Sequence, residues 1–186
     1  LKVLLIDFYD SFTYNIQHYL HAHGADVHVV EHDLLEINQM NDFSHIVLSP
    51  GPGLPKEKAN MFEIIESIPK NTALLGICLG MQAIAEYSGA KLYNLSQVRH
   101  GTTAYVKKNE ESRLFDGLPE KFEVGLYHSW AVESSTLNYK ITAKSDENVV
   151  MAIEDIQNRI YGVQFHPESV LTPQGKKMIK NFLFNC

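Results

Sequence analysis

A cysteine between two glycines, Gly76-Ile77-Cys78-Leu79-Gly80, has the plainest chemical potential in this chain. The apolar run 73–77 before it reads as a buried strand and residues 79–87 as a helix, so Cys78 falls on the turn between them. That is the arrangement of a nucleophile elbow, with cysteine in place of serine. Glycine belongs on both sides because so tight a turn brings backbones too close for a Cβ. The turn projects the sulfur from the end of the sheet. It also sets Cys78 at a helix N-terminus, where free N–H groups and the helix dipole favour thiolate over thiol. A free cysteine is more commonly a small buried hydrophobe. The flanking glycines and the strand-to-helix position tip the balance toward a nucleophile.

Such a nucleophile needs a base, and Phe165-His166-Pro167-Glu168 offers one. In extended chain, residues two apart share a face, so Glu168 can hold one imidazole nitrogen of His166 and leave the other for a thiol. Pro167 stiffens the link and biases His166 toward extended geometry. A His-x-Glu pair is also compatible with a metal, but no third ligand accompanies it. A third feature, Ser49-Pro50-Gly51-Pro52-Gly53-Leu54-Pro55, directly follows a strand. Taken alone it is a tight surface turn. Beside the elbow, its backbone N–H groups could form half of an oxyanion hole, with the Leu79 N–H as the other half.

These features must be positioned by a fold, and the pattern of apolar runs says which. Strands are expected at 2–7, 26–31, 45–49 and 73–77, with helices at 11–23, 61–67 and 79–87. In the first helix Phe12, Ile16, Tyr19 and Leu20 form a stripe, and Gly24 stands where a helix stops. This β-α-β-α order implies parallel strands with helices on both faces. The second half carries short strand candidates at 102–107, 122–125, 131–133, 139–144, 150–153 and 160–165, many of them antiparallel, before a helix at 174–184. The expectation is a single α/β domain over residues 1–186, its open, mostly parallel sheet extended by antiparallel strands in the C-terminal half. All three chemical features follow strands, as ligand sites do at the carboxyl ends of parallel sheets.

Composition narrows the function. The 186 residues are 45% apolar and 20% charged with a net charge of −6, a globular composition without the basic cluster of a nucleic-acid binder. No apolar run approaches the roughly 20 residues needed to cross a bilayer. The opening is too short and too soon acidic for a signal peptide, and a start at Leu1 rather than Met suggests a trimmed terminus. Two cysteines, Cys78 and Cys186, cannot build a disulfide framework, so a reducing, cytoplasmic setting is expected.

Three segments in order, Ser-Pro-Gly-Pro-Gly at 49–53, Gly-Ile-Cys-Leu-Gly-Met-Gln at 76–82 and Gly-Val-Gln-Phe-His-Pro-Glu-Ser at 162–169, resemble the class I (triad-type) glutamine amidotransferases. The opening at 7–15, Val98-Arg99-His100-Gly101 and Tyr127-His128-Ser129 narrow the likeness to the small subunits of anthranilate and aminodeoxychorismate (para-aminobenzoate) synthases. The resemblance implies a flavodoxin-like α/β fold and hydrolysis of L-glutamine to glutamate and ammonia. Cys78 would be nucleophile, His166 general base and acid, and Glu168 the orienter. Gly53 in the Gly51-Pro52-Gly53 loop and Leu79 would bind the oxyanion, while Gln82, Ser129 and Trp130 would hold the ends of glutamine. No cofactor is implied, and the partner would be a larger chorismate-binding subunit that takes the ammonia. Some positions depart from the family pattern: Phe8 stands for the usual Asn, Glu31-His32 for Arg-Asn, Met81 for His, and Leu126 and Trp130 flank Tyr-His-Ser where Arg and Leu are frequent. Two rivals stand beside this reading, a free-standing γ-glutamyl hydrolase and a silent binding subunit of a synthase. The first differs in preferring γ-glutamyl peptides, and the second would have lost a triad member.

Overall fold

In the computed structural model, which describes residues 1–186, the first half alternates as its apolar pattern requires. Strand β1 (Lys2–Asp7) leads through helix α1 (Thr13–Ala22) to β2 (Asp26–Glu31), and β3 (His45–Leu48) through α2 (Met61–Glu66) to β4 (Ala73–Ile77). Helix α3 (Leu79–Tyr87) follows β4 with only Cys78 between them. Between β2 and β3 the chain makes only a short 3-10 turn at Ile37–Asp42.

The second half supplies β5 (Leu92–Asn94), β6 (Thr102–Lys108), β7 (Lys121–Leu126), β8 (Trp130–Val132), β9 (Lys140–Ser145), β10 (Val150–Asp155), β11 (Ile160–Val163) and helix α4 (Gly175–Asn185). Nine strands form one sheet in the order β2-β1-β3-β4-β11-β10-β9-β6-β7. The five from β2 to β11 are parallel and the rest are antiparallel. With β11 as the fifth parallel strand, this is the flavodoxin-like order. The mostly parallel sheet with antiparallel additions expected from the sequence is therefore present. The residual pair β5–β8 makes a separate two-stranded ribbon, and the three residues of β5 are too few to show a period.

Alternation along β1 explains the layers. Val3 and Leu5 join one core with Ile16 and Leu20 of α1 and Ile179 and Phe182 of α4. Leu4 and Ile6 join the other with Met61 and Ile64 of α2 and Met81 and Ile84 of α3. Both faces of the parallel strands are thus covered, which is why they read as continuous apolar runs. Gly76 and Gly162 are paired neighbours on β4 and β11. A Cβ on Gly162 would lie 2.9 Å from Met81 Cγ, so the missing side chain makes room for α3 on the sheet. Met81 is wholly buried and packs in the core between α3 and the sheet.

Candidate active site

Strand β4 ends at Ile77, and Cys78 takes φ +52° and ψ −102°, a left-handed conformation that an L-residue rarely holds. Such backbone is worth about 1–3 kcal/mol of strain and persists only where its surroundings enforce it. Here the Cys78 N–H donates to the Val163 carbonyl at 2.8 Å, and its own carbonyl accepts from the Gln82 N–H at 3.0 Å. The two glycines are required as the tight turn demands. A Cβ on Gly76 would lie 2.5 Å from the Gly80 carbonyl carbon, and one on Gly80 would lie 2.5 Å from the Leu48 carbonyl oxygen.

Cys78 opens into a cleft of about 170 Å³ with ten lining residues. Eight are those singled out in the sequence: Gly51, Pro52, Gly53, Cys78, Leu79, Gln82, Ser129 and Trp130. The other two are Tyr127 and His128. The Gly51 loop presses against the elbow, since a Cβ there would fall 2.8 Å from both Leu79 Cδ2 and the Phe8 carbonyl oxygen. Gly53 has φ +77°, and its N–H, like that of Leu79 at the first position of α3, donates to no protein group. Two residues with free N–H groups therefore line the cleft into which the sulfur opens.

Behind this cleft lies the imidazole. His166 Nδ1 sits 2.7 Å from Glu168 Oε1, and the two residues are 2% and 1% exposed. The sequence assigned this segment extended geometry; the structure corrects that. Strand β11 stops at Val163, and the Ser169 N–H closes a turn onto the His166 carbonyl at 3.2 Å with Pro167 in its second position. The turn, not strand alternation, brings the pair together. It is clamped from several sides. The His166 N–H donates to the Gly125 carbonyl at 3.1 Å. The Thr172 hydroxyl donates to the His166 carbonyl at 2.6 Å and accepts the Gly125 N–H at 2.9 Å.

The other ring nitrogen, Nε2, has no hydrogen-bond partner. Burial disfavours charge on this ring, but the neighbouring Cys78 sulfur and Glu168 carboxylate outweigh it and hold the imidazole well above the ordinary histidine range. Nε2 is therefore the nitrogen left for proton transfer, and catalytic hydrogen bonds commonly tighten only when substrate is bound. Two aromatic rings fix the imidazole plane: Phe12 at 5.2 Å and Tyr127 at 4.8 Å between centroids, both nearly edge-on. Phe12 was expected on the core stripe of α1. It stands instead at the N-cap, half-buried, facing the imidazole.

Further side chains tie the cleft together. Gln82 Nε2 donates to the Trp130 carbonyl at 3.0 Å and to Gln164 Oε1 at 3.1 Å. Gln164 Nε2 donates to Cys78 Sγ at 3.5 Å. His128 Nδ1 donates to the same Trp130 carbonyl at 2.8 Å. Burial, with the charges of His166 and Arg99 nearby, pulls the His128 imidazole down to about 4, so it is neutral at physiological pH. Sequence reasoning gave no role to Gln164, His128, Tyr127 or Thr172. Gln164 lies two residues before His166, and that period-2 spacing is the signal that could have marked it. No group of three or more His, Cys, Asp or Glu side chains is placed to hold a metal ion.

A cysteine on an elbow, two unused N–H groups and a buried His–Glu pair suit acyl transfer through a thioester. Comparison with known proteins identifies which kind. The family model described as glutamine amidotransferase class-I matches residues 4–186. The chain belongs to the class I glutamine amidotransferases. As a member of this family it is 40% identical over 185 residues to aminodeoxychorismate synthase component 2 of Escherichia coli K12, covering 97% of this chain and 98% of that one. It is equally 40% identical over 185 residues to anthranilate synthase component 2 of Lactococcus lactis, covering 97% and 93%. A crystal structure of a glutamine amidotransferase from Thermotoga maritima matches with a TM-score of 0.82 over 100% of this chain and 97% of that one. At 18% identity that likeness speaks for the fold alone. No helix of this amidotransferase is long and apolar enough to cross a membrane.

Proposed function

We propose that this chain is the glutaminase component of a chorismate-using synthase, hydrolysing L-glutamine and passing ammonia to a larger subunit that makes anthranilate or 4-amino-4-deoxychorismate. The observation that carries the chemistry is the strained Cys78 beside a buried His166–Glu168 pair and two free backbone donors. The acceptor assignment draws on full-length relatives named as components of both synthases.

In the proposed cycle the Cys78 thiolate attacks the δ-carbon of glutamine, and the carbonyl π pair moves onto oxygen. The Leu79 and Gly53 N–H groups take up that charge. His166, protonated through Glu168 and the sulfur, gives its proton to the departing nitrogen as the C–N bond breaks. Ammonia leaves, and a γ-glutamyl thioester remains on Cys78. Water then attacks the thioester carbon while His166 takes its proton, and glutamate departs as the thiolate is restored. Gln82, whose amide hydrogens are committed to Trp130 and Gln164, has its oxygen left for the substrate ammonium. Ser129 and Trp130 border the other end of the cleft, where the α-carboxylate fits. The cycle uses protein groups alone and a reduced thiol, as a cytoplasmic enzyme would have.

The test is covalent labelling of Cys78 by a diazoketone analogue of glutamine, with Cys78→Ala as control, alongside hydrolysis of free glutamine. Labelling at the thiol, loss of it in the variant, and faster turnover with the chorismate-binding subunit are expected. Preferential cleavage of γ-glutamyl peptides, or equal turnover with and without the partner, would count against the assignment. Product analysis with chorismate and glutamine decides between the two synthases.

A further inference from the structure

Gln164 is wholly inaccessible to solvent, yet one of its amide hydrogens is directed at sulfur rather than oxygen. A thiol is a weak acceptor and a thiolate a strong one, so this contact has much of its value only when Cys78 is charged. We propose that Gln164 is a catalytic residue of the amidotransferase reaction: its Nε2 group donates to the Cys78 sulfur and stabilises the thiolate, in an orientation fixed by Gln82. The inference builds on the role given above to Cys78.

The orientation follows from donor and acceptor logic. The Trp130 carbonyl can only accept, so the end of Gln82 that faces it at 3.0 Å must be the NH₂ group. The same nitrogen lies 3.1 Å from Gln164, which must therefore present its oxygen there. Reversing Gln164 would set NH₂ against NH₂ and turn a carbonyl oxygen toward the sulfur, opposing the negative charge. The NH₂ group of Gln164 is thus committed to Cys78 at 3.5 Å. The backbone leaves it little freedom, because the Gln164 N–H is itself bonded to the Met151 carbonyl at 2.9 Å.

This chain of amides also links substrate to nucleophile. Gln82 lines the cleft, whereas Gln164 reaches the sulfur from behind it. A substrate ammonium donating to Gln82 Oε1 polarises the Gln82 N–H bonds. That tightens the hold on Gln164 and strengthens its donation to the thiolate.

The test uses Gln164→Met, which keeps side-chain length and removes both amide ends, in a Cys186→Ser background so that Cys78 is the one thiol. The pH midpoint for alkylation of Cys78 by uncharged iodoacetamide should rise by about one unit, the worth of one hydrogen bond to a charged group. The kcat for glutamine should fall as well, and by more than KM rises, because Gln164 meets the reacting sulfur directly and substrate only through Gln82. A well-folded variant whose alkylation midpoint matches that of the parent protein overturns the proposal. In the unsubstituted chain, the Gln164 side-chain amide proton resonance should move with pH at the midpoint of Cys78 alkylation; a resonance flat through that midpoint also overturns it, even should Gln164→Met not fold. Failure of the parent protein to hydrolyse glutamine would instead count against the proposed function, and the alkylation comparison would still report on Gln164.

Discussion

His166 Nδ1 and Glu168 Oε1 lie 2.7 Å apart across a single proline, and both side chains are withdrawn from water. An imidazole so buried would ordinarily lose its proton, yet the sulfur and the carboxylate hold it well above its usual range. Glu168→Gln removes one of those supports and leaves the shape in place. The expected result is a loss of about 10²-fold or more in kcat/KM, since the ring loses both orientation and charge compensation. The alkaline limb of the pH–rate profile, where His166 gives up its proton, should also move to lower pH. A limb unmoved in Glu168→Gln would mean that the carboxylate does not act through the ring. Linkage has the same sign. A raised imidazole contributes stability that is complete below the ordinary histidine value of 6.5 and is lost as pH climbs through the elevated folded value.

The elbow makes a prediction about backbone rather than charge. A Cβ on Gly80 would meet the carbonyl oxygen and Cβ of Leu48 at 2.5 and 2.8 Å, backbone-bound atoms of a central strand that cannot swing aside. Gly80→Ala should destabilise by about 1–3 kcal/mol and abolish hydrolysis by displacing Cys78. Gly24→Ala is the useful comparison, because no atom lies within 4 Å of its Cβ position and only its φ of +81° is unfavourable. That variant should lose about 1 kcal/mol and keep its activity. Urea melts and glutamine turnover of the two together separate steric closure of the elbow from general strain.

Much of this was legible in the residues because the physics is local. Continuous apolar runs on β1, β3 and β4, buried on both sides, announce a sheet covered on both faces. Glycines at 76 and 80 announce a turn with no space for side chains. What stayed hidden depends on contacts across the sheet. Phe12 looks like one more member of an apolar stripe until the turn at 166–169 brings an imidazole to it. Gln164 and Gln82 are 82 positions apart, and only the pairing of β4 with β11 makes them neighbours. The extended reading of His166-Pro167-Glu168 arrived at the right pair through the wrong backbone, because a turn closed by Ser169 also brings residues two apart together.

Phe8 and His32, which stand where the resemblance implies asparagines, meet in space. Phe8 and His32 stack with centroids 4.9 Å apart and planes 18° from parallel, and the His32 ring is further held by Asn60 through Nδ1 at 2.7 Å. Together they form a ring pair beneath the loop that carries Gly51. A double-mutant cycle with Phe8→Leu and His32→Asn should return a coupling of about 0.5–1.5 kcal/mol in urea unfolding. Additive effects would show that the two rings act independently.

Acid should weaken this fold through a histidine remote from the cleft. His45 begins β3 and is 3% exposed, with its ring edge-on to Phe182 at 5.2 Å and Nδ1 beside the Ser44 hydroxyl at 2.9 Å. Its Nε2 has no partner. Burial, reinforced by the positive charge of Arg159, pulls its imidazole down to about 4. Between that value and the ordinary 6.5 the unfolded chain binds a proton that the fold refuses, so stability falls as pH drops through this window and the slope ends near 4. His128 adds a second contribution of the same sign. His45→Phe keeps a ring against Phe182 and removes the proton site. Its melting temperature should therefore drop by a few degrees less than that of the parent chain between pH 6.5 and 4.5. Parallel melting curves across that range would place the acid sensitivity elsewhere, in the carboxylates or in His128, and leave His45 as no more than a packed ring.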